Sequence, residues 1–435
     1  MYSPPLHRKV LPWIYAVAFL ITAPLVLLYT AGYRYNLKKA AVEKHGTLIL
    51  DSTPEDATIF LNGERYTETT PTTIQQLSPG WHTIRFEREG YTSWEKAIEI
   101  RPERVSFANA VYLWRTQPTV QLLNEGTYTQ LVSNPEADVV SAISTHTSGT
   151  RLELWQSRGR QSGETPLASN TSIESIRWQE DSRALVIDRP APAADTLVRL
   201  QSRGLATTST GQDGVWEGGS YSMVERTPQA VYSLAWNSRT GALDRAEIPS
   251  STQAQYKDLR IETTTSSATL VVERTFRDRN IPLSQNDWRF QESPLTDWVF
   301  FTNDQQWLAL NPYAEQPLQH QIVAEKVLWS PNTVTPPQGL FVGTNELHLW
   351  TPEGPTLLLR QTTPIVDAAW HRSGTIVFLA TATHIEALEL DARDGRARTP
   401  IATFDAIQAL AQVGPYLYVA GTREGVTGLW MLTIE

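Results

Sequence analysis

Cysteine is absent from this chain of 435 residues, which removes disulfides, thiolate metal sites and cysteine nucleophiles together. A cysteine-free composition suits an exported protein but does not assign a compartment, because proteins of reducing compartments also lack disulfides. Positive charge is in deficit, with 46 acidic against 37 basic residues and a formal net charge of −9. A general phosphate-backbone binder needs a basic face, and no Lys/Arg cluster beyond the segment 34–44 offers one, so no nucleic-acid partner is expected. Gly-x-Ser-x-Gly, the His-Glu-x-x-His zinc motif, glycine-rich phosphate loops and calcium-loop aspartate spacing are all missing. The histidines at 7, 45, 82, 146, 320, 348, 371 and 384 are scattered. His371 and His384 fall in one repeat unit, where opposite faces or solvent suit them better than joint ligation. Ser220 in Gly218-Gly219-Ser220-Tyr221 and Ser162 beside Gly163 read as loop residues. Paired carboxylates occur on any β-rich surface, and spacing alone selects no glycosidase pair. The sequence therefore assigns no catalytic, cofactor-binding or metal-binding residue, no cofactor and no enzyme activity.

Long apolar runs are missing too, with one exception. Val10 to Gly32 carries no charged side chain, and as a helix at ~1.5 Å per residue it spans roughly 34 Å, enough for a hydrocarbon core of ~30 Å. Pro24 sits mid-run, which a membrane helix tolerates. Trp13 and Tyr15 at one end, and Tyr29, Tyr33 and Tyr35 at the other, suit interfacial belts. A cleaved signal peptide normally has a shorter apolar core and a small-x-small site; here bulky Tyr29 occupies the third position before a cut after Ala31, while a cut after Gly32 stays chemically possible. Arg8 and Lys9 precede the run, and Arg34, Lys38, Lys39 and Lys44 follow it. Counted alone, these charges favour a cytoplasmic large domain, but long domains translocate largely regardless of charge. Lys38 and Lys39 suit either lipid headgroups or solvent.

From Gly46 to Trp114 short alternating runs replace the apolar helix. Residues 47–51 and 57–61 read as strands, the second ended by Asn62-Gly63, a dipeptide that readily takes the positive φ angles of a tight hairpin. Ile74 and Leu77 mark a third strand, and Trp81 to Arg88 a fourth in which Ile84 and Phe86 face one way and Arg85 and Glu87 the other. Ile98 and Ile100, then Val105 to Leu113, complete about six strands, a small β-sandwich.

These residues resemble the PEGA domain family. Gly46, Ser52, Pro54, Glu55, Ala57, Asn62, Gly63, Thr70, Pro71, Pro79, Gly80, His82, Gly90 and Tyr91 follow its pattern in order. The name-giving Pro-Glu-Gly-Ala stands here as Pro54-Glu55-Asp56-Ala57, and aspartate tolerates left-handed backbone angles. The resemblance implies a noncatalytic sandwich of extracytoplasmic bacterial proteins, serving binding or spacing. His82 reads as a residue that orients the start of a strand by hydrogen bonding, since no second ligand accompanies it.

Beyond residue 116 the chain repeats. Val327-Leu328-Trp329-Ser330-Pro331-Asn332 parallels Ala368-Ala369-Trp370-His371-Arg372-Ser373, with the tryptophans 41 apart and Ala411 in the next corresponding place. Each header leads to an apolar strand (340–342, 376–379, 417–420) and then a closing strand (347–350, 387–390, 428–430). Weaker copies lie at Ile176 to Ile187, Trp298 to Leu310, Leu152 to Trp155 and Tyr232 to Trp236. A period of ~40 with several strands per unit is the mark of a β-propeller, and the remaining length allows seven blades or eight. Trp329-Ser330-Pro331-Asn332 resembles the repeat strand of TolB-like and WD40-like propellers. The tryptophans read as wedges between blades, with an exposed, glycan-stacking ring as the alternative.

The expected organisation is a short cytoplasmic tail (1–9), a transmembrane helix (10–33), a juxtamembrane spacer (34–45), a PEGA-like sandwich (46–114) and a seven- or eight-bladed β-propeller (116–435). The whole resembles membrane-anchored bacterial PEGA proteins, which implies the tail inside and an all-β soluble portion outside. The expected function is a noncatalytic surface scaffold that touches the bilayer through residues 10–33 and recognises an envelope polymer or surface protein. Two alternatives stay open: a propeller-based hydrolase or lyase acting on cell-wall carbohydrate, and a cytoplasm-facing tethered scaffold.

Overall fold

A helix, Leu6–Thr30, and a series of strands make up the computed structural model. It describes residues 6–30, 33–36, 41–134, 138–147, 149–167, 172–178, 184–189, 195–201, 204–209, 215–217, 220–226, 229–237, 242–256, 258–264, 267–273, 278–284, 288–291, 293–303, 306–331 and 333–435. Two compact units emerge: residues 1–117 with 391–396 and 435, and residues 118–390 with 397–434.

In the first unit the helix begins before the apolar run and ends at Thr30, whose hydroxyl donates back to the Leu27 carbonyl at 3.0 Å. Its described side chains, residues 13–27 and 30, are exposed apart from partly covered Ala23. Among the described residues no helix is long and apolar enough to cross a membrane. Tyr33, expected at the helix end, instead belongs to a strand, Tyr33–Asn36, paired antiparallel with Ala41–Lys44. The expected spacer is thus largely a two-stranded ribbon, and Lys38 and Lys39 lie outside the described residues.

The sandwich follows as two sheets. One orders Thr72–Leu77, Gly46–Thr53 and Val105–Tyr112, the last pair parallel; the other orders Glu64–Thr69, Thr58–Leu61, Gly80–Glu87 and Trp94–Ile100. Leu48, Leu50, Ile59, Ile84, Phe86, Ile98 and Ile100 fill the space between them. There are seven strands, not six. Glu64–Thr69 escapes a hydrophobicity reading because it has no buried residue to reveal it.

The second unit contains eight four-stranded sheets, each antiparallel, in the successive order of a propeller, so the described residues resolve seven-or-eight to eight. The headers form the first strand of their blades, as in Lys326–Trp329 and Asp367–Trp370. The expected closing strands are third, and a fourth follows outside them, as in Gly354–Arg360 and Arg398–Thr403. These outermost strands are mostly exposed, which removes the apolar signal that marks the inner ones. In the last blade the outermost strand comes from the beginning of the unit: Thr119–Glu125 pairs with Val426–Thr433. First and last blades then share one core, with Tyr128, Val140, Ala142 and Trp155 packed on Ala411, Tyr418, Leu429 and Met431.

Candidate functional site

Glu153 is a buried carboxylate with four polar neighbours. It sits on the third strand of the first blade, Gly149–Gln156, and is 1% exposed. Its Oε2 accepts from the Tyr128 hydroxyl at 2.9 Å and the Trp155 indole N–H at 3.0 Å. Its Oε1 accepts from the Ser144 hydroxyl and lies 3.2 Å from His146 Nε2. Three hydroxyl and indole donors, with His146 Nε2 shared between this oxygen and the Ser144 hydroxyl at 3.0 Å, surround the carboxylate on all sides. Burial first, then the adjacent Glu153 charge, pushes the Tyr128 phenol above its ordinary value, partly offset by the amide of Asn124 donating to its oxygen at 2.8 Å. Asn124 lies on the strand that completes the last blade, so the cluster spans the seam of the ring. The Tyr418 hydroxyl crosses the same seam, donating to the Gln156 carbonyl at 2.6 Å and accepting from the Gly159 N–H at 3.1 Å. A carboxylate so surrounded holds strands together and presents nothing to a substrate.

A second polar bridge joins three inner strands. Asp367 pairs with Lys326 of the preceding blade and accepts from the Leu410 N–H of the following blade at 2.8 Å. The tryptophans of these headers pack inward as expected. Trp370 is buried and donates its indole N–H to the Leu328 carbonyl at 2.9 Å, and half-buried Trp329 meets Phe300 edge-to-face at 5.0 Å. His371 is fully buried and bonded to Ser373, whereas His384 is exposed and bonded to Thr383, so these two histidines serve separate turns. Ser162 and Ser220 are strand residues rather than loop residues; the Ser162 hydroxyl donates to the Leu154 carbonyl of the neighbouring strand at 3.2 Å. Among the described residues no group of three or more histidines and carboxylates is arranged to hold a metal.

The sandwich concentrates its polar contacts at the turns. Asn62 and Gly63 adopt φ of 54° and 82°, the double left-handed hairpin that the dipeptide suggests. His82 Nδ1 accepts from the Asn62 amide at 2.9 Å while its Nε2–H donates to the Ser78 carbonyl at 2.8 Å, so the histidine ties two turns together. Asp56 takes the left-handed angle, φ 64°, where the family motif has glycine. Buried Thr70 bonds the Ser52 hydroxyl at 2.6 Å and accepts from the Ala57 N–H at 3.0 Å.

The outer face of the sandwich's four-stranded sheet is the exposed counterpart. Trp81 stands there 67% exposed, opposite Glu99 on the neighbouring strand. Midway, the Arg85 guanidinium lies 4.3 Å above the Phe60 ring. Past the far end is an open cavity of about 460 Å³ lined by Asp56, Thr58, Glu87, Arg88, Glu89, Tyr91 and Ser93. The signal for Trp81 was in the alternation: if Ile84 and Phe86 face inward, residue 81 shares the outward parity of Arg85. For Glu153 no such signal exists, because both faces of its strand are covered.

Residues 45–111 match the PEGA domain family. No curated protein matches the chain. Among solved structures it is similar to Raptor of Chaetomium thermophilum, at 11% identity and TM-score 0.44 over 74% of this chain and 29% of that one. It is likewise similar to the Dos1 propeller, at 12% identity and TM-score 0.44 over 72% and 94% of the two chains. A third similarity is to the Cps50 (Swd1) β-propeller domain of Myceliophteria thermophila, at 10% and 0.44 over 73% and 100%. This chain thus spans less than a third of the Raptor chain's length.

Proposed function

We propose that this protein is a noncatalytic binding scaffold anchored in a bacterial membrane by its N-terminal helix, with sandwich and propeller on the extracytoplasmic side. The observation that carries the anchor is the helix surface. Trp13, Phe19, Leu20 and Leu27 are 74%, 72%, 73% and 68% exposed. Exposing such side chains to water forgoes roughly 25 cal/mol per Å² of apolar surface, while lipid accepts them. At 25 residues, Leu6–Thr30 reaches roughly 37 Å at ~1.5 Å per residue, and the uncharged sequence Val10 to Gly32 supplies the apolar character that the described residues alone do not reach. Charge asymmetry is weaker than the sequence count suggests, because Lys44 pairs with Glu103 of the sandwich at 2.5 Å. The PEGA match supports the outward orientation, through the extracytoplasmic setting that the resemblance implies.

A recognition role for the propeller is supported by how its charged groups are used. Glu153 and Asp367 join strands inside the fold, while exposed polar groups such as Arg360 and Arg398 stand on the outermost strands. The ligand is an envelope polymer or a surface protein. Protease treatment of intact cells is expected to remove the propeller while the N-terminal tail stays protected. Full protection of the propeller until lysis would overturn this orientation and favour the cytoplasm-facing scaffold.

A further inference from the structure

We propose that the outer face of the sheet formed by Glu64–Thr69, Thr58–Leu61, Gly80–Glu87 and Trp94–Ile100 binds a neutral, linear glycan, with Trp81 as its stacking ring. This deepens the binding role above by naming a ligand class, and rests on that reading only in taking the polymer from the envelope.

Trp81 lies in the strand Gly80–Glu87 with its ring open to solvent. Six residues on, Glu87 borders the cavity, about 20 Å away at ~3.4 Å per residue. Between them the Phe60 ring lies under Arg85. An open indole, a covered phenyl ring and a cavity with Tyr91 on its wall therefore follow one another along a single strand direction. A run of that length suits several units of a linear polymer better than one small molecule.

The charges decide which polymer. Arg85 pairs with Glu87 at 3.0 Å and faces Glu95 at 3.8 Å, and Arg101 pairs with Glu99 beside Trp81 at 2.8 Å. Paired guanidinium and carboxylate groups donate to and accept from hydroxyls without a net field. A polyanion would meet three carboxylates, Asp56, Glu87 and Glu89, against one guanidinium, Arg88, at the cavity. The buried core of a protein interface is depleted of charge, whereas Trp81 is flanked across the sheet by Glu99, with Arg101 beside it, and on its own strand by Thr83. A flat indole ringed by hydrogen-bonding groups matches a pyranose, which offers an apolar C–H face and hydroxyls at its rim.

The test is affinity electrophoresis of the full chain in lipid nanodiscs, in native gels cast with hydroxyethyl cellulose, galactomannan, xylan or dextran. Retardation is expected in at least one gel and is expected to persist at roughly 0.5 M salt, where ionic contacts are screened. Trp81→Ala is expected to weaken it about tenfold or more with an unchanged melting temperature, and Trp81→Phe to retain most of it. No retardation in any gel, retardation lost in salt, or an unaffected Trp81→Ala variant would each overturn the proposal. Because the gel reads purified protein, its result does not depend on which side of the membrane the sandwich faces. The protease experiment can fail while this one succeeds, and the reverse.

Discussion

The sandwich and the propeller use buried polar groups for different purposes. In the sandwich, Thr70, Ser52 and His82 hold turns whose residues lie close in sequence, within 21 positions of one another. In the propeller, Asn124 linked through the Tyr128 hydroxyl to Glu153, and Tyr418 with Gln156, hold a seam, and the Tyr418 contact spans 262 positions. Turns are specified by residue type, because left-handed angles and particular donors are required at fixed places. A seam is specified mainly by burial, which many sequences can satisfy. The small unit therefore keeps a recognisable motif, while the large one keeps a period and little else.

Four measurements break or sharpen this contrast. The largest effect is expected in the propeller's aromatic core, where fully buried Trp350 meets Trp298 and Phe300 edge-on, each at 4.9 Å. Trp350→Ala is expected to cost about 3–5 kcal/mol in chemical denaturation, confined to the propeller transition. Equal movement of a separate sandwich transition would show that the contrast is misplaced. Next, Glu153→Gln keeps the shape of the seam but replaces one acceptor oxygen by an amide that faces donors, an expected loss of about 1–3 kcal/mol. A variant as stable as the parent would mean that the seam does not need the carboxylate.

In the sandwich, Gly63→Val is expected to cost about 1–2 kcal/mol. A Cβ at that glycine meets nothing within 4 Å, so the penalty comes from backbone angle alone. Gly63→Asn, which tolerates the angle, is expected to recover most of it, and equal losses for both variants would refute the turn argument. The smallest effect is one of pH. Burial lowers the His348 imidazole below its ordinary value of 6.5, the Glu346 charge opposing and the Arg360 charge reinforcing the shift. The unfolded chain then binds this proton more readily than the folded one. The stability contribution is complete above about pH 6.5 and is lost as pH falls toward the lower folded value. His348→Gln is expected to flatten that part of the stability profile, read by melting temperature across pH 4–8.

Where the sequence speaks depends on what each residue must satisfy. Asn62-Gly63 and Asp56 were legible because few residues accept positive φ. The headers at Trp329 and Trp370 were legible because each leads into a strand covered on both faces, Gly339–Val342 and Ile376–Ala380, that reads as an apolar run. Glu64–Thr69 and the outermost blade strands were not, since an exposed strand has no side-chain constraint to leave a pattern. Within the repeat copy expected at Ile176 to Ile187, residues 179–183 lie outside the described residues. Of the sites, Trp81 was encoded in simple alternation, whereas the Glu153 cluster arises only when residues from four strands meet.

Pairing of Thr119–Glu125 with Val426–Thr433 also sets a schedule. The strand that completes the final blade is the first of the unit to leave the ribosome, and its partner is nearly the last. More than 300 residues of separation give that contact a long loop to close, so ring completion is expected to be a late and slow step. Until Val426–Thr433 has been made, Thr119–Glu125 has no partner strand, and it offers an unpaired edge to any chain nearby. A second nascent copy could supply Val426–Thr433 in trans, which makes strand exchange between neighbours the characteristic assembly error of this architecture.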